Sequence, residues 1–185
     1  MLIRKMALLS FFAFAMIPAY ASYAEYNVAH GLPPVEGQSI SVLQPFYGDF
    51  RILGYKNYDD DEQAKFSPVD FAVSWGLFAY PEIASQISVK QYDRYLKWSI
   101  QKLPVPAEQA MQMVSNIHII PANPQIAQEI KQVNRGDFVR LKGDLVEIKD
   151  KDLVWKSSQR PDDVGDGACE VFRVSSIEWL EKSTS

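Results

Sequence analysis

Two residues of this chain, Cys169 and His118, have the chemistry of a nucleophile and its base. Cys169 is the single cysteine, and His118 is the one of two histidines that falls inside the predicted folded region. A thiol becomes a strong nucleophile when a neighbouring group favours its thiolate, and a histidine is the usual partner. Asp162 and Asp163 are the candidates for orienting that histidine. The sequence thus offers a thiol site of four residues, provided that the fold brings them together.

The alternative interpretation gives Cys169 and His118 structural roles. Cys169 follows Gly167 and Ala168 and has none of the familiar cysteine-protease sequences around it, which is typical of a small buried residue. His118 lies in the apolar run Ile117–Ile120, where a half-buried ring hydrogen-bonded to the backbone is the ordinary outcome. The sequence alone leaves both interpretations open.

A polar segment over residues 157–170 supplies the candidate ligand-binding residues. They combine hydroxyl, guanidinium and carboxylate groups, and they are Ser157, Ser158, Arg160 and Glu170. Aspartates and glycines in the same segment resemble a calcium loop, but Arg173 stands where the bidentate Glu of an EF-hand belongs. No phosphate-binding loop, dinucleotide fingerprint or zinc-protease motif occurs either. We therefore predict no metal ion and no cofactor.

Composition limits the class of protein. The 185 residues are 47% hydrophobic and 23% charged, which is typical of a globular protein of one domain. A formal net charge of −4 argues against a nucleic-acid partner, because such proteins need a basic surface. A single cysteine excludes an intramolecular disulfide, so the core must stabilise the fold without one.

The first 24 residues have the pattern of a secretory signal peptide. Arg4 and Lys5 precede a short apolar run, and small residues in A-x-A spacing follow it, with cleavage after Ala21 or Ala24. The apolar run is shorter than the ~20 residues that span a bilayer, although an uncleaved anchor is the alternative. We expect a periplasmic or secreted protein with no transmembrane segment after cleavage.

The rest of the chain divides into an extended lead-in, residues 25–47, and one globular domain, residues 48–182. The lead-in is rich in proline and glycine, which predicts little regular structure. Apolar alternation predicts strands at 50–58, 87–100 (with a turn or bulge at Asp93–Arg94), 117–120, 138–148 (bent at Gly143), 153–158 and 169–180. Capping residues and apolar periodicity predict helices that begin at Pro68 after a Ser67 cap, at 107–115 and at 124–133.

This order of elements predicts a β-rich α+β fold. The last three strands have the pattern of an antiparallel meander. We expect a small, strongly curved antiparallel sheet or OB-like barrel with two to three short helices packed at its ends.

Four blocks of the chain resemble an uncharacterised family of exported bacterial proteins. The blocks are SPVDFAVSWG at 67–76, NIHIIPA at 116–122, RGDFVRLKG at 135–143 and DDVGDGACE at 162–170, and the resemblance extends over roughly residues 45–180. The chain departs from that family at Gln159–Pro161, where a Leu-Thr-Arg run is more usual. The resemblance implies export and a fold, and it implies no reaction.

These observations favour a non-enzymatic binding or assembly module of the bacterial envelope. The expected partner is an envelope protein or a polysaccharide, since the acidic chain is a poor match for nucleic acid. The alternative is a thiol-dependent hydrolase or redox enzyme that uses Cys169 and His118.

Overall fold

The computed structural model describes residues 38–159 and 169–184, which form eight strands, three short α-helices and one 3₁₀ turn. The strands are β1 (Gln38–Asn57), β2 (Val69–Ser74), β3 (Ser88–Tyr92), β4 (Tyr95–Ser99), β5 (Val114–Pro121), β6 (Phe138–Asp150), β7 (Leu153–Lys156) and β8 (Glu170–Glu181). The helices are α1 (Pro81–Ala84), α2 (Ala107–Met111) and α3 (Pro124–Ile130), and the 3₁₀ turn is Gly76–Ala79.

Five strands close into a ring in the order β1, β2, β5, β8, β6 and back to β1. All neighbours in this ring are antiparallel except β5 and β8, which are parallel. With α3 between β5 and β6 along the chain, this is the strand order of an OB barrel. The prediction of a β-rich α+β fold with a strongly curved, OB-like sheet is confirmed.

The long strands of the ring bend, and each pairs with more than one neighbouring strand. The first part of β1 pairs with β6 and its last part pairs with β2, with register shifts at Val42/Gln44 and Ile52/Gly54. The predicted bend at Gly143 is also present, as a register shift between β6 and β8. A Cβ atom at Gly143 would collide with the carbonyl group of Arg173, so only glycine permits this close approach of two backbones.

The predicted helix after Ser67 is wrong, because Val69–Ser74 is strand β2 in the middle of the sheet. All six of its residues are buried, since the barrel interior covers one face and the β3–β4 hairpin covers the other. A strand that is buried on both faces loses the apolar–polar alternation by which strands are recognised. The hydroxyl of Ser67 donates to the carbonyl oxygen of Val69 and caps no helix.

The region 87–100 is a hairpin whose turn lies at Asp93–Arg94, as one of the two sequence interpretations expected. Strands β3 and β4 pair only with each other in the described chain and form a second small sheet. This hairpin lies over the outer face of the barrel, where Val89, Leu96 and Trp98 pack against a buried apolar cluster.

Two further expectations need correction. Strands β6, β7 and β8 do not form a meander, because β7 and β8 both pair with β6 and β8 continues into a parallel pairing with β5. Residues 38–47, assigned to the extended lead-in, belong to β1, which pairs with β6 from Gln38 onward. Both errors concern pairings between segments that are distant in sequence. The signal peptide and residues 25–37 lie outside the described residues.

The three helices are short and lie between strands, and α3 is the one whose boundaries were predicted best. The side chain of Asn123 accepts a hydrogen bond from the backbone N–H of Ile126 at 2.9 Å, and Pro124 occupies the first turn. Helix α2 ends at Met111, earlier than predicted, because β5 begins at Val114.

The C-terminal end of β8 is attached to the barrel through the buried carboxylate of Asp137. This carboxylate accepts hydrogen bonds from the backbone N–H of Ser183 at 2.8 Å, the backbone N–H of Asn134 at 2.9 Å and the indole N–H of Trp179 at 3.0 Å. Burial alone would raise the pKa of Asp137, but these donors favour the charged form and lower the pKa below its ordinary value.

We expect Asp137→Asn to lower the free energy of unfolding at neutral pH by about 1–3 kcal/mol, because the amide carries no charge and replaces one of the two accepting oxygens by an N–H donor. Since the folded pKa is depressed, the wild-type contribution is complete above the unfolded value of about 3.9 and is lost as the pH falls through the folded pKa. Urea unfolding of both proteins at a series of pH values, followed by tryptophan fluorescence, measures the difference. The difference should shrink in acid, and a difference that stays constant with pH would contradict this account. The exposed Asp152 serves as a control, as Asp152→Asn.

Candidate functional site

The centre of the candidate site is the carboxylate of Asp70, which is completely buried on the outer face of β2. Phe71 and Val73 point into the barrel, so the alternation of the strand turns Asp70 to the opposite face. Asp70 lies directly across from His118 on β5. A charge at this depth is tolerated only when donors surround it, so its partners define the local structure.

Three side chains donate to Asp70. Its Oδ1 accepts from Nη1 of Arg94 at 2.8 Å and from Nδ1 of His118 at 2.9 Å, while its Oδ2 accepts from Nδ2 of Asn116 at 3.0 Å. His118 and Asn116 come from β5, and Arg94 comes from the tip of the β3–β4 hairpin. The carboxylate thereby joins the hairpin to the barrel.

Arg94 is held on every side. Its Nε and Nη2 donate to the two carboxylate oxygens of Asp61, both at 2.7 Å, and its guanidinium lies 3.7 Å from the centre of the Tyr58 ring. Its backbone N–H donates to the Tyr58 hydroxyl, and its carbonyl oxygen accepts from Asn116. Such two-pronged contact with a carboxylate and stacking on an aromatic ring are specific to arginine.

The backbone at the hairpin tip is strained to bring Arg94 into this position. Asp93 and Arg94 have φ values of +46° and +66°, a conformation that two-residue hairpin turns require and that asparagine and glycine adopt most readily. A non-glycine residue at such φ persists because other contacts compensate for the strain. Here the compensating contacts are those of the Arg94 side chain.

The charges of this network shift the pKa values of its members. The hydrogen bonds from Arg94 lower the pKa of Asp61, against the opposite effect of burial. Burial would lower the pKa of Arg94, but its bonds to Asp61 and the charges of Asp70 and Asp61 outweigh that effect and raise the pKa. Burial, followed by the negative charge of Asp70, raises the pKa of Tyr58. Arg94 and Asp61 are therefore both charged in the folded protein, and Tyr58 keeps its proton.

His118 lines a pocket, and the nitrogen of its ring that contacts Asp70 is Nδ1. Because the carboxylate of Asp70 accepts at Nδ1, we assign the proton of the neutral ring to Nδ1 and the lone pair to Nε2. The side chain is only 3% exposed, and within the described residues Nε2 has no hydrogen-bond partner. The ring centre lies 4.8 Å from that of Trp155 on β7.

The pocket above this network, which we call the Arg94 pocket, has a volume of about 740 Å³. It opens between the β1–β2 loop, the hairpin tip and β7. Its lining residues are Lys56, Asn57, Tyr58, Asp59, Asp60, Asp61, Gln63, Asp93, Arg94, Tyr95, His118, Trp155, Lys156 and Cys169.

The structure brings together two of the four predicted catalytic candidates. Cys169 and His118 both line the Arg94 pocket. The reason is the parallel pairing of β5 and β8, in which His118 lies opposite Val171, two residues after Cys169. Asp162 and Asp163 lie outside the described residues, as does Arg160. Asp70, which the sequence analysis did not connect with His118, has the orienting position that was assigned to Asp162 or Asp163.

The remaining predicted ligand-binding residues do not face this pocket. Ser157 is buried, its hydroxyl donating to the carbonyl oxygen of Ser158 at 2.7 Å and accepting from the backbone N–H of Val171 at 3.0 Å. Ser158 and Glu170 line a separate apolar pocket of about 400 Å³ at the open end of the barrel, where Glu170 accepts from the Ser115 hydroxyl at 2.8 Å. Of the predicted set, Ser158 and Glu170 therefore line the apolar pocket, Ser157 has a structural role, and Arg160 lies outside the described residues.

Sequence reasoning missed Asp70, Arg94 and Asn116 as site residues. One signal was available, since Asp70 is an acidic residue in the otherwise apolar run Val69–Val73, and a buried acid needs partners. Nothing in the sequence indicated which basic residue would reach it. No cluster of three or more metal-binding side chains occurs among residues 38–159 and 169–184.

The arrangement supports two kinds of chemistry. A polar ligand finds an acceptor at Nε2 of His118, carboxylates at the rim and aromatic rings on the walls, which are the elements of a binding site. A histidine oriented by a buried carboxylate also resembles the base of a nucleophilic site, with Cys169 in the same pocket.

We expect Arg94→Ala to lower the free energy of unfolding by about 3 kcal/mol, because it leaves the buried Asp70 without its compensating charge. The matched control is Arg140→Ala, which removes an equally well-aligned contact with Asp49 at 2.7 and 2.8 Å. That pair is more than a third exposed, so solvent screens it and its loss should cost far less. Urea unfolding of the two variants measures both effects, and equal losses would contradict the central role of Arg94.

Comparisons with known proteins provide no relative for this site. No protein-family model matches the chain, and neither the curated proteins nor the solved structures that were searched contain a match. Within the described residues, no helix has the length and apolar character required to cross a bilayer. The assignment of a function therefore depends on the geometry of the site.

Proposed function

We propose that this chain is an exported, non-enzymatic binding module of the bacterial envelope and that its ligand enters the Arg94 pocket. The observation that carries the proposal is the buried network around Asp70, which fixes a polar pocket on the outer face of β2 and β5. In OB barrels, this face and the loops that correspond to the β1–β2 loop and the β6–β8 connection form the usual ligand site.

The network supports binding because it prepares the pocket before a ligand arrives. Arg94, Asp61 and Tyr58 hold one another through hydrogen bonds and stacking, so few side chains need to be ordered when a ligand enters. Prior order of this kind reduces the entropic cost of association.

The charge of the pocket supports an envelope protein or a polysaccharide as the partner. Four of its lining residues are aspartates, which would repel a phosphate backbone. Trp155 and Tyr95 offer partly exposed rings of the kind that pack against sugars and apolar side chains. Export is supported by the signal-peptide pattern of residues 1–24 and by the resemblance to exported proteins.

Binding is tested by nuclear magnetic resonance with two probes, one for each partner class: tetra-N-acetylchitotetraose for a polysaccharide and trilysine for a basic protein segment. We expect at least one probe to shift backbone amide signals of the β1–β2 loop and of Asp93–Tyr95, and to be recovered chemically unchanged. Tyr95→Ala should weaken that binding several-fold, because the ring lines the pocket.

The matched control is Tyr80→Ala, since Tyr80 is also an exposed tyrosine and lies outside the Arg94 pocket. It should leave the affinity unchanged. Signals that move only elsewhere on the barrel, or the absence of any response to both probes, would overturn the proposal.

A thiol enzyme is the second candidate, and one observation favours it: Cys169 and His118 line the same pocket while Asp70 holds Nδ1 of His118. In such a site the thiol proton passes to Nε2, and the resulting thiolate attacks the substrate.

Alkylation of Cys169 as a function of pH separates the two functions. For a binding module, we expect the labelling midpoint to be that of an ordinary thiol, ~8.5, or higher, and to be the same in His118→Asn. The asparagine amide retains a donor for Asp70 but removes Nε2. A midpoint well below ~8.5 that returns to the ordinary value in His118→Asn would establish the thiol enzyme instead.

A further inference from the structure

Nε2 of His118 is an acceptor without a partner at the base of the Arg94 pocket. The side chain of His118 is only 3% exposed, and its other ring nitrogen, Nδ1, is hydrogen-bonded to Asp70. Within the described residues nothing donates to Nε2, although buried polar atoms in proteins are nearly always paired. A ligand that donates a hydrogen bond at this position would satisfy the atom.

The rim of the pocket carries carboxylates that pair with no basic residue in the described ranges. Asp59, Asp60 and Asp93 are exposed, line the pocket and form no ion pair within the described residues. Their negative charges line the same pocket as His118.

Two of the three basic residues of the pocket, Arg94 and Lys156, contact carboxylates. Arg94 is bound to Asp61 and Asp70, so the base of the pocket holds one carboxylate more than guanidinium groups. Lys156 lies 4.0 Å from Glu147, outside the pocket, whereas Lys56 lies over the ring of Tyr58, itself a pocket residue, at 4.9 Å. The lining thus has four aspartates against three basic side chains, and the buried Asp70 beneath it adds a further negative charge. This excess of negative charge favours a positive ligand.

The walls of the pocket suit an organic cation better than a bare metal ion. Trp155 is partly exposed beside His118, and the guanidinium of Arg94 already lies 5.8 Å from the centre of its ring, an arrangement typical of an indole's attraction for cations. An ammonium group also supplies the N–H donors that the acceptor of His118 requires, and its alkyl chain packs against the rings.

Resting on the proposed binding function, we infer that the Arg94 pocket recognises a primary alkylammonium group, such as the end of a lysine side chain on a partner. The ammonium donates to Nε2 of His118, the rim carboxylates attract it, and Trp155 covers the chain that carries it.

The test compares cadaverine with the pentane diol of the same length, which replaces each ammonium by a hydroxyl. In mildly alkaline buffer an alkyl amine is charged, whereas the diol is neutral. The chain has two histidines, so the ring nitrogen signals of His118 are assigned by comparison with His118→Asn. Cadaverine should shift the Nε2 signal and the amides of Asp93–Tyr95, and the diol at the same concentration should not.

Two variants with a matched control measure the contribution of each group. Asp93→Asn removes one rim charge and tolerates the positive φ, and it should weaken cadaverine binding by about two- to fivefold. His118→Asn removes the acceptor and should weaken it by about tenfold. Glu108→Gln removes an exposed charge on α2, outside the pocket, and should leave the affinity unchanged.

The outcomes distinguish this inference from the proposed function. If cadaverine and the diol bind equally, or if Glu108→Gln weakens binding as much as Asp93→Asn, specific ammonium recognition is overturned. If tetra-N-acetylchitotetraose then still binds in the pocket, the binding module stands and its ligand is a neutral saccharide. If no probe moves the signals of the pocket, both proposals fail.

Discussion

The structure depends on one electrostatic constraint, the complete burial of the Asp70 carboxylate on the outer face of the barrel. A buried charge is tolerated only when its hydrogen-bonding capacity and its charge are both satisfied. Asn116 and His118 supply donors from the neighbouring strand, but neither is permanently cationic. The positive charge that compensates Asp70 therefore comes from Arg94 on the hairpin. The need to pair Asp70 thus fixes the hairpin, its strained turn and the loop that contains Asp61 relative to the barrel.

The same constraint applies to the outer face of β2 and β5, which is buried in this protein. In an isolated barrel, this face would be exposed to solvent. Here the β3–β4 hairpin covers one part of that face through an apolar cluster around Phe78 and Ile87, and Trp155 on β7 covers another part. The polar network lies between these two apolar contacts, which exclude water from the Asp70–Arg94 pair and strengthen it. The Arg94 pocket opens onto this network.

The pocket combines features that are usual for ligand recognition with a histidine and a cysteine, the residue types of a nucleophilic site. Its polar residues are ordered by one another, its rim is acidic, and Nε2 of His118 receives no hydrogen bond from residues 38–159 or 169–184. The position of Cys169 follows from the parallel pairing of β5 with β8. This pairing places Cys169, the residue just before β8, close to His118 on β5. Binding needs only the groups whose geometry is described, whereas thiol chemistry additionally needs an activated thiolate.

The sequence by itself determined the elements that local physics specifies. Asn123 and Pro124 begin α3, Gly143 permits the bend of β6, and the alternation of apolar residues in 138–148 produces a strand that is buried on one face. Local patterns also made the β-rich, OB-like class predictable. Only the tertiary structure decided that Val69–Ser74 is a strand, that β8 lies between β5 and β6, and that Asp70, Arg94 and His118 meet. These outcomes depend on contacts between distant segments, whose free energies exceed local preferences and leave no periodic signal in the chain.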